Sequence, residues 1–140
     1  MWTPRTIVLR MLPDGSPQAN VRVLGLRGAT TFDIDEAAHV GERTVDLLQT
    51  MLQRNGLTQD DVISVLFTAT PDLHSVFPAT AARSIGFGDV PLMCAQELAI
   101  DGAKAQCIRI LMHIHSTKRR DELHHIYLEG ARDLRDDLPE

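Results

Sequence analysis

Apolar and polar residues alternate from Val21 to Arg27, with Val21, Val23 and Gly25 on one side and Arg22, Leu24 and Leu26 on the other. Successive side chains that turn to opposite faces mark a strand, so this segment predicts a first strand with Arg27 at its end. The period then changes. Val40, Leu47, Leu48, Met51 and Leu52 recur at helical spacing until Gly56 supplies a stop, and Asp33 followed three residues later by Glu36 reads as a capping box at the start. From Val62 to Ala69 the run is largely β-branched and apolar, as suits a buried strand, and Thr70-Pro71-Asp72 breaks it.

A loop through His74 leads to Phe77, and Pro78 suits the first turn of a short helix over Ala79 to Ile85. Gly86-Phe87-Gly88-Asp89 then turns the chain into a strand from Val90 to Ala95. Asp101 is placed to cap a further helix that presents Ala105, Ile108, Leu111 and Met112 to a core, leaving Arg109 partly exposed. His125 to Leu128 alternates as a last strand before a charged tail from Arg132 to Glu140. The resulting order of β, α, β, short α, β, α, β predicts an α+β fold with one mixed sheet and helices packed on it. Such a sheet leaves a face uncovered. Self-association is its simplest cover, so a homo-oligomer with sites between subunits is expected.

With 140 residues, 44% of them hydrophobic, the chain can bury one core but not two. Residues 1–20, with Arg5 and Arg10 around a short apolar run and Pro13, Gly15 and Pro17 behind it, read as an N-terminal extension, and residues 21–140 as a single domain. The apolar run is too short for a signal core or a membrane span, so no membrane partner is expected. A net charge of -5 argues against a nucleic-acid surface, which needs clustered Lys and Arg. It leaves room for a few local arginines that grip a small dianion. Cys94 and Cys107 fall outside any CxxC pattern, which fits a reducing cytoplasm.

The chain has no P-loop, GxGxxG, GxSxG or HExxH pattern, so phosphoryl transfer, dinucleotide chemistry and common hydrolysis lose their usual signatures. His113-x-His115 and His124-His125 invite a metal, but the members of each pair are expected to point apart on a strand or a frayed helix end. No Cys or carboxylate is spaced to complete a site, and no metal is expected. Cys94 and Glu97 form a CxxE at a strand end, where functional groups gather on α/β sheets. Taken singly, they read as a buried thiol and a solvated carboxylate. On the same terms Arg27, Arg83, Arg109 and Arg135 read as surface cations, and Phe77 and Tyr127 as packing aromatics.

Several strings taken together change that weighting. Arg27-Gly28-Ala29-Thr30-Thr31, Thr68-Ala69-Thr70-Pro71-Asp72-Leu73-His74 with Val76-Phe77-Pro78-Ala79, Cys94-x-Gln96-Glu97, Cys107-Ile108-Arg109 and Tyr127-Leu128-Glu129 resemble, in order, the monofunctional trimeric chorismate mutases. The resemblance runs from about Val21 to Leu138 and departs from the family pattern at Thr80, at the turn near Gly86 and at Asp136. It implies an isomerase that converts chorismate to prephenate in phenylalanine and tyrosine biosynthesis. It further implies a homotrimeric pseudo-α/β-barrel with clefts between subunits and no cofactor. Arg109, Glu97, Arg27, Tyr127 and Cys94 are then the expected catalytic set. Phe77, Ala79, Thr80, Arg83, Met93 and Arg135 are expected to bind substrate. A trimeric metabolite-binding or enamine-deaminase-like protein is the alternative, since related scaffolds also hold carboxylates with arginine.

Overall fold

The computed structural model describes residues 13–15 and 20–135, with the side chain of Arg135 outside that description. Most of the expected N-terminal extension also lies outside the described residues. β1 (Arg22–Thr31) shows the alternation read from the sequence: Leu24 and Leu26 are buried, and Val21 and Val23 are exposed. It does not end at Arg27. It continues through the small residues Gly28, Ala29 and Thr30, all buried, so Arg27 lies within the strand.

The helix α1 (Ala37–Arg54) explains why small residues are needed there. A Cβ at Gly28 would stand 2.5 Å from the Met51 sulfur and 3.1 Å from a Leu47 methyl. Only glycine lets the helix lie that close to the strand. α1 buries Val40, Thr44, Leu47, Leu48 and Met51 on one stripe. The expected capping box is absent, because Glu36 is the N-cap and makes no side-chain capping bond. Asp33 is engaged elsewhere: its carboxylate accepts from Arg43 at 2.7 Å.

β2 (Val62–Ala69), α2 (Pro78–Ser84, with Pro78 at its start) and β3 (Leu92–Gln96) lie close to where the pattern put them. The following segment does not. No helix follows Asp101; the chain turns there and then runs as a strand, β4 (Cys107–Ser116). Ile108, Ile110, Met112 and Ile114 are buried, whereas Leu111 lies on the opposite side. The helical set Ala105, Ile108, Leu111 and Met112 therefore mixed two faces, and three isoleucines at period two favour the pleated conformation.

With β5 (Ile126–Tyr127), the strands form one sheet in the order β3-β2-β4-β1-β5. β4 runs antiparallel between β1 and β2, while β3 and β5 pair parallel to β2 and β1 at the two edges. Both helices pack on one face. Leu47, Leu48 and Met51 of α1 and Ala79 and Ala82 of α2 join Leu24, Leu26, Phe67, Ile110, Met112 and Ile114 in a single core. The opposite face has no such cover and exposes apolar surface: Met93 is 66% exposed, Val23 63% and Leu111 36%. His113 and His115 share this face, as alternate residues of a strand must, so the expectation that they point apart is corrected. Among the described residues no three His, Cys, Asp or Glu side chains gather as metal ligands, and no helix is long and apolar enough to cross a membrane.

Candidate active site

Strand register builds the site. Across the sheet, Ala95 pairs with Thr68, Thr68 with Arg109, Arg109 with Ala29, and Ala29 with Tyr127. Paired residues point to the same side, so one row on the uncovered face sets Arg109 and Tyr127 on either side of an alanine. Arg27 precedes Ala29 by two positions on β1 and therefore belongs to the same face, one row along, opposite Leu111.

Glu97, the residue after β3, reaches into this row. Its carboxylate lies 3.1 and 3.2 Å from Arg109 Nε and accepts a 2.7 Å hydrogen bond from the Thr68 hydroxyl. The Glu97 side chain is only 16% exposed, while that of Arg109 is 41% exposed. The carboxylate is thus sunk beneath the guanidinium it holds. The contact is made through Nε, so the terminal nitrogens of Arg109 take no part in holding Glu97.

A second feature lies beside α2: a cleft of about 450 Å³ lined by Leu73, Val76, Phe77, Thr80, Cys94 and Gln96 among others. Phe77 is 71% exposed, so it presents its ring instead of burying it. Cys94 pairs with Phe67 and packs against the core, on the helix side of the sheet. It is close to Glu97 along the chain, but it faces the other way from the arginine row. Ala79 is buried in the core on α2 and does not line the cleft, Arg83 is exposed on the last turn of that helix, and Met93 lies on the uncovered face. Arg109, Glu97 and Tyr127 do not line the cleft. The expected residues therefore gather in two groups, Arg109 with Glu97, Tyr127 and Arg27, and Phe77 with Thr80 and Cys94. The Arg135 side chain lies outside the described residues.

Sequence reasoning passed over two residues. Thr68 heads one of the family strings, but its residue type gives no sign of a role for its hydroxyl. Asp35 accepts the backbone N–H groups of His74 at 2.9 Å and Ser75 at 3.0 Å, and so fastens the loop that carries Phe77. A hydrogen bond from the Ser75 side chain, helped by these amides, holds the Asp35 carboxyl below the usual range. His125 Nδ1 accepts the Arg27 N–H at 2.9 Å, and burial together with the Arg27 charge lowers its affinity for a proton. Burial pushes the thiol of Cys107, two positions before Arg109 on β4 and on the same side of the sheet, up to about 11, so it stays neutral beside the site.

The same chain has clear relatives. A family model described as chorismate mutase type I matches residues 23–138. The chorismate mutase AroH of Bacillus subtilis (strain 168) is 39% identical over 117 residues, which cover 83% of this chain and 92% of that protein. The Thermus thermophilus chorismate mutase AroH is 40% identical over 117 residues, covering 83% of this chain and 96% of that one. A solved chorismate mutase from Clostridium thermocellum superposes with a TM-score of 0.77 at 41% sequence identity, covering 79% of this chain and 98% of the other.

Proposed function

This chain belongs to the type I chorismate mutase family, and from that premise we propose that Arg109, held by Glu97, is the cation that meets the breaking ether bond. The chain catalyses the rearrangement of chorismate to prephenate, an isomerase step of the shikimate pathway toward aromatic amino acids. In this [3,3] shift the ether C–O bond breaks as a C–C bond forms, and no group outside the substrate changes its bonds. The protein has two tasks. It holds the enolpyruvyl side chain folded over the ring, and it stabilises negative charge that grows on the ether oxygen.

A guanidinium performs both tasks better than an ammonium, because its rigid fork bridges a carboxylate and the ether oxygen together. Pairing Nε with Glu97 supports this role by leaving the outer nitrogens for substrate. Arg27 and the Tyr127 hydroxyl take the side-chain carboxylate, and Glu97 accepts from the ring hydroxyl. Phe77 packs the apolar ring face, with Cys94, Ala79, Thr80 and Met93 shaping the remainder. Arg83 and Arg135 attract the dianion from the rim.

The two groups face different ways on one chain, so the working site joins the cleft of one subunit to the arginine row of a neighbour. A homotrimer whose sheets pack as a pseudo-barrel provides that juxtaposition, and the exposed Val23, Met93 and Leu111 supply apolar surface for it. Residues 21–140 act as the mutase domain, with residues 1–20 an extension before it. Free Cys94 and Cys107 support a cytoplasmic setting.

The single observation that carries this reading is the Glu97–Arg109 pair in register with Tyr127. Its test is loss of chorismate absorbance. Removing one neutral oxyanion donor lowers rate by about 10²–10³, so Arg109→Ala should lower kcat by more than about 10³. Citrulline at position 109 keeps shape but not charge and should be similarly impaired. Near-normal kcat in either variant would remove Arg109 from the chemistry.

A further inference from the structure

Thr68 stands opposite Arg109 in the strand register, on the row that carries the proposed site. Its hydroxyl donates to Glu97 Oε2 at 2.7 Å, and that same oxygen lies 3.1 Å from Arg109 Nε. One carboxylate is therefore gripped from two sides, by a hydroxyl on β2 and a guanidinium on β4. The backbone repeats the arrangement: Glu97 N–H donates to the carbonyl of Ala69, the neighbour of Thr68, at 2.9 Å. Glu97 needs this help. It follows the last paired residue of β3, Gln96, so no further ladder neighbour fixes where its side chain goes.

Threonine suits the task because its β-branched side chain is stiff about χ1, so the strand itself aims the hydroxyl. A hydrogen bond to a charged acceptor in a half-buried setting is also stronger than a neutral one in water. We infer that Thr68 is a positioning residue of the reaction: it fixes the Glu97 rotamer that turns the outer nitrogens of Arg109 toward the substrate. This rests on the role proposed above for Arg109. Without the hydroxyl, the carboxylate rotates and the guanidinium loses its fixed aim. The loss then falls on kcat more than on KM, because the Arg109 contact strengthens as charge develops on the ether oxygen.

The experiment compares Thr68→Val, which keeps shape and strand preference, with Thr68→Ser, which keeps the hydroxyl, in the full chain with chorismate as substrate. The ¹H–¹⁵N signal of Arg109 Nε reports the Glu97 contact independently of turnover, and Glu97→Gln serves as its reference. Loss of one charge-assisted hydrogen bond should lower kcat about tenfold in Thr68→Val, with KM changed less than about threefold. The Nε signal should shift toward that of Glu97→Gln, and Thr68→Ser should restore both readouts. Thr68→Ala replaces Thr68→Val should the latter fail to fold, with the same expectations.

Wild-type kcat in Thr68→Val, or a fall in kcat with the Arg109 signal unmoved, would overturn the inference. So would a fall that Thr68→Ser does not restore. Arg109→Ala assayed alongside separates the two levels: a large loss there with a silent Thr68→Val removes only Thr68, whereas a silent Arg109→Ala removes the site reading beneath it.

Discussion

The cleft beside α2 and the row through Arg109 are made in different ways. The cleft is walled by a loop, the start of α2 and the ends of β2 and β3, and its aromatic ring is left exposed. The row spans all five strands, and its charges are paired and partly sunk. One depends on how a loop is fastened, the other on register, which a packed sheet cannot change by less than a whole residue. The division matches the two tasks of the reaction. Shape selection tolerates a slightly movable wall, but electrostatic stabilisation requires donors fixed before the charge appears.

The largest effect that can break this comparison comes from mixing subunits. Phe77→Glu places a carboxylate in the cleft and Arg109→Ala empties the row, and each alone should be nearly inactive. Refolded together in equal amounts, they should recover about a quarter of wild-type activity, because random assembly leaves that share of sites with both parts intact. A mixture as inactive as its parents would mean that both groups serve one site within one chain.

A smaller effect should separate the loop from the sheet. The Asp35 carboxyl is lowered in the folded protein, so its contribution is present at neutral pH, above the ordinary carboxylate value. It is lost as pH falls below that value and through the folded one. Relative to the unfolded-chain rate at each pH, hydrogen exchange at the His74 and Ser75 amides should quicken over that acid range, while the Arg109 row keeps its protection. Asp35→Asn should reproduce the quickening at neutral pH and raise KM by about two- to fivefold, as expected for an exposed contact. Unchanged exchange in that variant would free the loop from Asp35.

The smallest effect concerns the thiols. Cys94 is half-buried at the cleft and Cys107 is fully buried next to the row, so iodoacetamide should label Cys94 first. In the unfolded chain Cys107 loses its proton near 9.0, but in the folded one it keeps it to about 11. Its share of stability is therefore complete below the first value and fades as pH rises to the second. Equal labelling of both thiols in the native protein would contradict the packing described here.

The sequence patterns that reported burial directly were readable. Val62 to Ala69 gave the bounds of β2, although Ser64, Leu66 and Thr68 are only half-buried on the uncovered face, and the stripe from Val40 to Leu52 gave α1. β4 was misread because a short window with Ile108, Leu111 and Met112 satisfies helical spacing as well as strand spacing. Only its insertion between two other strands decides between them, and that is a property of the whole chain. Asp33 was assigned to a cap for a similar reason, since Arg43 claims it only once α1 lies against β1. The charged residues that gather in the row, Arg109, Glu97 and Arg27, all stand in the family strings. Thr68 stands in one of those strings and Asp35 in none, but the role of neither was legible, because it lies in what their oxygens touch across long stretches of sequence.

The central place of β4 has a further result for how this protein comes into being. Its neighbours on either side, β1 and β2, are both synthesised well before it, and they have no direct pairing with each other. A nascent chain that stops short of Ser116 leaves a gap where the middle strand belongs, with nothing to align Thr68 and Ala29. Contacts between residues so distant in sequence form late and slowly. No complete row exists before that insertion, and activity recovered during refolding, which also needs Tyr127 of β5 and a neighbouring subunit, should lag behind the appearance of helix.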